Sequence, residues 1–223
     1  MPAGTHASLS SILQRIRRLF DLDADSNVID AHLSRDRRLA PLVAASPGLR
    51  VPGAWDGFET AVRAILGQQV SVERARRLAE NNLIERCGEG GFPEADGLAR
   101  SAPGSLGIPG KRWLAIRGLA RAVADGAIDL NEGADLQELT DRLMALPGVG
   151  PWTAGYVGMR VAKDPDAFPD GDWAVLGTLG ATPGAARRLA MTWRPWRAYA
   201  VMHLWSSPPL TGASDRVQSA GET

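Results

Sequence analysis

Twenty-five acidic and twenty-five basic residues leave this 223-residue chain formally neutral, so a broad polycationic surface is excluded and any nucleic-acid partner must be gripped locally. A single cysteine, Cys87, rules out a disulfide framework and a four-cysteine iron–sulfur cluster, and the 44% apolar content fits a globular core without a membrane span. Met1 to Ser10 has neither an apolar centre nor a basic start, so no secretory signal is expected and a reducing cytoplasm is the consistent setting.

Ile12, Ile16, Leu19 and Phe20 recur at helical spacing, as do Val28, Ala31, His32 and Leu33, so two helices are expected after a disordered segment 1–11. His32 reads as a surface or capping residue. Pro41, Pro47 and Pro52 then punctuate a helical turn and an extended connection. Asp56 followed by Glu59 fits a capping box, with Phe58, Val62, Ile65 and Leu66 as the buried stripe of the next helix. That helix ends at Gly67-Gln68-Gln69, and Ser71 is placed to cap another that runs to about Glu85. The two glutamines therefore sit in a bend, either as solvated turn residues or as side chains facing a partner.

Residues 89–110 are rich in Gly, Pro, Ser and Ala and read as a loop around one weak helix near Gly97 to Ala99. Ser105 to Arg112 then opens a helix, a glycine-rich turn carrying the two cations Lys111 and Arg112 and suited to a phosphate. Leu136, Leu139 and Leu143 predict a short amphipathic helix that must stop at Pro147-Gly148-Val149-Gly150. Pro151 suits the first position of a second helix, with Trp152, Tyr156 and Met159 on one face. This helix–glycine hairpin–helix is either an ordinary corner or an anion site, in which the amides of Gly148, Val149 and Gly150 meet a phosphate.

Asp164 to Asp172 holds four aspartates, two prolines and a glycine, an ordered loop with Phe168 as its apolar anchor. Asp164, Asp166 and Asp170 read as turn formers. Asp172 precedes the apolar run Trp173 to Leu176. A helix of about Trp196 to Trp205 is apolar on both sides and therefore buried, with His203 as a core histidine. Residues 209–223 read as a flexible tail.

The segments LPGVGPWTAGYVGMR (Leu146–Arg160), DAFPDGDWAVLGTLG (Asp166–Gly180) and WRPWRAYAVMHLW (Trp193–Trp205) resemble the helix-hairpin-helix DNA glycosylase superfamily. Within it, the chain looks most like the 3-methyladenine DNA glycosylase II family. RRLFDLDAD (Arg17–Asp25), PGLRVPGAWDGFETAVRAILGQQVSV (Pro47–Val72) and KRWLAIRGLARAVADG (Lys111–Gly126) continue the likeness in order, so it spans residues 12–208. The resemblance implies an all-α fold of two helical lobes; the N-terminal β domain of fuller family members is expected to be lacking, as a departure, for want of room before Ile12.

It further implies Asp172, in the frame F-P-x-x-D, as the catalytic carboxylate, and Gln68, Trp152, Tyr156 and Trp205 as the pocket for an alkylated base. Gln69 takes the position of the wedge that fills the gap left by an extruded base. Lys111 and Arg112 join the hairpin on the DNA backbone. The family's hairpins often hold Na+ or K+, here on the carbonyls of Leu146 and Gly148; no cofactor and no iron–sulfur cluster is implied. Bifunctional members carry a lysine where this chain has Trp152, so a monofunctional, water-using monomer acting on double-stranded DNA is expected. The alternative is a helix-hairpin-helix module that grips DNA without chemistry, which would not need Asp172 and its aromatic neighbours.

Overall fold

The computed structural model describes residues 9–68, 70–84, 91–102, 107–130 and 135–207. Within them the chain forms twelve α-helices and no strand, as expected of an all-α protein, and no helix is long and apolar enough to cross a membrane. It divides into two compact units: residues up to Trp55 together with those from Trp173 onward, and residues Asp56–Asp172. The wedge candidate Gln69, the lone Cys87 and the C-terminal segment 209–223 lie outside the described residues.

The first unit begins with α1 (Leu9–Leu19), α2 (Ser26–Leu33) and α3 (Ala40–Ala45). The disordered segment expected through residue 11 is corrected here, because Leu9, Ser10 and Ser11 form the first turn of α1. Leu9 stands three and four residues ahead of Ile12 and Leu13, so the apolar stripe extends by one turn. The start of α2 is capped by Asp25, whose Oδ1 accepts from the amides of Asn27 and Val28. Buried Asp21, in the left-handed region at φ 54°, accepts from the Val51 amide at 3.1 Å and the Tyr199 hydroxyl at 2.9 Å. Burial and the neighbouring Asp21 push the Tyr199 phenol well above its ordinary value, so it remains a donor.

The second unit contains α4 (Gly57–Leu66), α5 (Val72–Ala79, continued by a π-turn over Glu80–Ile84), α6 (Ala95–Arg100), α7 (Gly110–Ala124), α8 (Leu136–Met144) and α9 (Pro151–Arg160). The expected caps are in place: Asp56 accepts from the Glu59 amide at 2.7 Å and Ser71 from the Arg74 amide at 3.3 Å. Asp135 does the same for α8. Helix α9 packs on α4 and α8, and α4 packs in turn on α5 and α7. Val62, Ile65 and Leu66 of α4 and Ala154, Val157 and Met159 of α9 are buried in this core. Each of the larger side chains contributes about 1.5–3 kcal/mol.

The chain then returns to the first unit through α10 (Trp173–Leu179), α11 (Pro183–Ala190, followed by a 3-10 turn over Met191–Trp193) and α12 (Arg197–Ser206). Helix α12 packs on α10 and α3, and six of its ten residues are buried, as its two apolar sides require. His203 is fully buried in it.

Candidate active site

The glycine hairpin lies against the start of α7. Gly148 adopts φ 85°, and a Cβ there would stand 3.0 Å from the Ala115 Cβ. Both its conformation and its closeness to α7 thus require glycine. Gly150 is different: its backbone is extended, and a Cβ would meet nothing within 4 Å. Pro151 opens α9 at the position where its missing N–H costs nothing.

Gln68 joins this hairpin to two neighbouring elements. Its Nε2 donates to the Gly148 carbonyl at 2.9 Å and lies 2.9 Å from Thr153 Oγ1, while its own carbonyl accepts from Arg112 Nη2 at 2.6 Å. The end of α4, the hairpin and the first turns of α7 and α9 are therefore tied through one residue. Because a carbonyl only accepts, the contact with Gly148 fixes which end of the amide faces the hairpin. Gln68, expected in the base pocket, holds its Nε2 against the Gly148 carbonyl and Thr153. Burial first, and the Arg74 charge second, hold the Arg112 guanidinium below its ordinary value. Lys111 is exposed one residue earlier.

The Leu146 and Gly148 carbonyls expected to hold a monovalent cation both accept hydrogen bonds within the chain. Leu146 O receives the Val149 amide at 3.1 Å, and Gly148 O receives Gln68. Each carbonyl keeps a second lone pair, so these bonds leave both oxygens able to take an ion.

Asp172 ends the loop that follows α9. Asp164 forms the expected turn, its Oδ1 accepting from the Asp166 amide at 2.8 Å. The loop then crosses α9 at Gly155, where a Cβ would stand 2.5 Å from the Phe168 carbonyl oxygen and 2.8 Å from the Pro169 Cα. Only glycine permits that approach. Ala167 and Pro169 are buried, whereas Phe168, expected as the anchor, is partly exposed. The crossing delivers Asp172, 6% exposed, to the N-terminal half of α9, where its Oδ2 accepts from the Trp152 indole N–H at 2.7 Å.

Trp152 stacks on Tyr156 with ring centres 5.6 Å apart and planes at 25°. Arg160 lies over the Tyr156 ring at 5.6 Å, and its Nη1 donates to the phenol oxygen at 3.3 Å. Asp172, Trp152, Tyr156, Gln68, Arg112 and the hairpin are thus gathered in the second unit. Trp205 belongs to the first unit, on α12, and is partly exposed.

Sequence reasoning missed the roles of Trp152, Thr153 and Gly155. It assigned Trp152 by its ring, and the N–H that holds Asp172 went unread. A glycine inside an otherwise helical pattern, between Trp152 and Tyr156, was the available sign of a close backbone approach.

A buried carboxylate pinned beside a hairpin between two helices, in an all-α chain, defines a class of helix-hairpin-helix protein with a fixed anion next to the hairpin. The comparisons agree with that class. The AlkA N-terminal domain family matches residues 3–56, a stretch that is helical in α1 to α3. The chain is 36% identical over 217 residues to DNA-3-methyladenine glycosylase 2 of Escherichia coli (strain K12), covering 92% of this chain and 74% of that protein. It is 40% identical over 214 residues to the probable bifunctional transcriptional activator/DNA repair enzyme AlkA of Mycobacterium tuberculosis (strain ATCC 25618 / H37Rv). That match covers 89% of this chain but 43% of the relative, so the chain spans less than half of that protein's length. The solved structure of Schizosaccaromyces pombe 3-methyladenine DNA glycosylase (Mag1) in complex with abasic DNA is similar in fold, with a TM-score of 0.69 at 19% identity. It covers 79% of this chain and 94% of that one. The chain belongs to the DNA-3-methyladenine glycosylase 2 family of helix-hairpin-helix glycosylases.

Proposed function

We propose that this protein is a monofunctional DNA glycosylase of base excision repair that hydrolyses the N-glycosidic bond of alkylated purines of the 3-methyladenine and 7-methylguanine type. The reading is carried by one observation: a buried carboxylate, Asp172, held at 2.7 Å by the indole N–H of Trp152. An alkylated purine is already cationic. As its bond to C1′ breaks, the electron pair goes to the base, which leaves neutral, and positive charge builds on the sugar. A fixed carboxylate stabilises that oxocarbenium character and orients the water that attacks C1′, whose proton passes to Asp172 and then to solvent. No strong acid is needed at the leaving base, and the reaction requires no cofactor.

Reaching C1′ requires the nucleotide to leave the stack. The amides of Gly148 and Gly150, with Lys111 and Arg112, are suited to hold the backbone of a double-stranded DNA while it does, whereas the Val149 amide, also expected there, is engaged by the Leu146 carbonyl. Gln69 remains the wedge candidate by family resemblance, and Trp152 and Tyr156 are candidates to stack on the extruded cationic base. The Arg160 guanidinium already over Tyr156 competes for that ring, so Trp152 is the stronger platform. With an indole rather than an amine at position 152, no Schiff base forms there and the strand is left intact. The remainder of the reading is a monomer acting in the cytoplasm beside chromosomal DNA, with residues 12–208 as the catalytic region.

The test is release of 3-methyladenine and 7-methylguanine from methylated DNA without added cofactor. Base release that leaves strands breakable only by alkali, with no borohydride-trapped complex and a loss of about 100- to 1,000-fold in Asp172→Asn, supports the reading. DNA binding without base release from the parent would reduce the protein to a binding module.

A further inference from the structure

Helix α5 and its π-turn are uninvolved in the chemistry above, yet they carry an uneven charge pattern. Arg74, Arg77, Leu78, Asn81 and Asn82 recur at the spacing of one helix face and line an open groove of about 390 Å³. The acidic residues of the segment, Glu73 and Glu80, are not among the lining residues, and Glu80 pairs at 3.4 Å with Arg76 on the opposite flank. Among the described residues no carboxylate pairs with Arg74 or Arg77.

The groove therefore offers two cations and two amide donors with no acid among its lining residues. Like charges also meet at its head: the Arg74 charge opposes that of half-buried Arg112, the residue bonded to the Gln68 carbonyl beside the hairpin. Such a cluster lowers stability unless an anion comes between its members. From Arg74 to Asn81 the helix rises about 10 Å. A duplex strand carries one phosphate per about 3.4 Å of axis, so the groove matches two to three consecutive phosphates.

We propose that the Arg74–Asn82 face is a second phosphate-backbone site, which holds the duplex beside Arg112. This rests on the DNA-glycosylase reading and extends it to the DNA flanking the extruded nucleotide. The contact is with backbone rather than base edges, so it adds affinity and salt dependence but no sequence preference.

The test measures the affinity of the full chain for a duplex with one abasic site, from about 50 to about 200 mM salt. Three proteins are compared: the parent, Arg74→Gln/Arg77→Gln, and Arg76→Gln as a control on the opposite flank. Two lost phosphate contacts lower the slope of log K against log salt by about 1.8, so the double variant's affinity deficit shrinks about 12-fold across that range. The control keeps the parent slope. Asn81→Asp, a single exposed change that brings an anion into the groove, weakens binding in the same direction and serves if the double variant does not fold. A double variant with the parent's slope, or Asn81→Asp with the parent's affinity, overturns the groove. A parent that does not bind the abasic duplex overturns the glycosylase reading itself, a result distinct from either.

Discussion

Replacing Trp152 with Phe keeps a ring for the stack on Tyr156 and removes one atom's function, the N–H that holds Asp172 Oδ2 at 2.7 Å. A hydrogen bond to a charged group is worth about 1.5–3 kcal/mol. If that bond is fully expressed in the transition state, where the carboxylate must be fixed and ionised opposite the developing charge, the loss converts to about 10- to 150-fold in single-turnover base release. The experiment is a double-mutant cycle. Trp152→Phe is measured in the parent and in Asp172→Asn, with alkylated DNA saturating and thermal unfolding recorded for each protein. In the Asp172→Asn background the charge is already gone, so the second change should cost less than about 3-fold. Equal losses in both backgrounds would mean that Trp152 acts on the base through its ring, and that its bond to Asp172 is incidental to the chemistry.

Gly155→Ala should lower both stability and activity, since the new methyl meets the Phe168 carbonyl at 2.5 Å and the loop must move. A cost of about 1–3 kcal/mol corresponds to a fall in Tm of about 2–12 °C, and base release by the folded fraction should fall further because Asp172 shifts with the loop. An unchanged Tm would refute that close approach. Gly150→Asp should leave Tm within about 1 °C, as the position is open, while weakening binding to any duplex; undiminished affinity for abasic DNA at low salt would make the hairpin a mere corner. Stability should also depend on His203. Burial lowers its basicity from the ordinary 6.5, and Asp30 and the Leu42 carbonyl oppose that shift without closing a hydrogen bond; Asp30 is 3.9 Å away. The folded state thus binds this proton less readily than the unfolded chain. Its stability is full above pH 6.5 and is lost as pH falls from there toward the depressed folded value. Urea midpoints about one unit above and below that pH should differ, and less so in His203→Gln; equal differences in both proteins would remove His203 as the cause.

Local chemistry was legible in the sequence wherever a residue acts on its own neighbours. The caps at Asp56 and Ser71, the proline that opens α9 and the turn at Asp164 depend on groups two to four residues away, and each is found as expected. Asp172 was singled out by the family's frame after Phe168-Pro169, and the structure finds it buried. Its partner was not legible, because the bond from Trp152 exists only once a loop of twelve residues folds back across Gly155. Gln68 shows the same limit: its bend was readable, but the direction of its side chain depends on a carbonyl eighty residues later. The early start of α1 was missed for another reason. Its apolar stripe is largely exposed, with Leu9 and Leu13 more than half accessible, so burial gives no boundary to read.

Gly150 caps α9 and Trp152 is the second residue of that helix, so the two are next-but-one neighbours in the chain. The element suited to hold a phosphate and the element that anchors the carboxylate are therefore a single rigid body. On the proposed reading, α9 acts as a gauge: once a phosphate seats on the hairpin, the distance to the attacked sugar is set. A nucleotide displaced by one step along the strand would present the wrong carbon, so register along the DNA and readiness for hydrolysis would be decided by the same event.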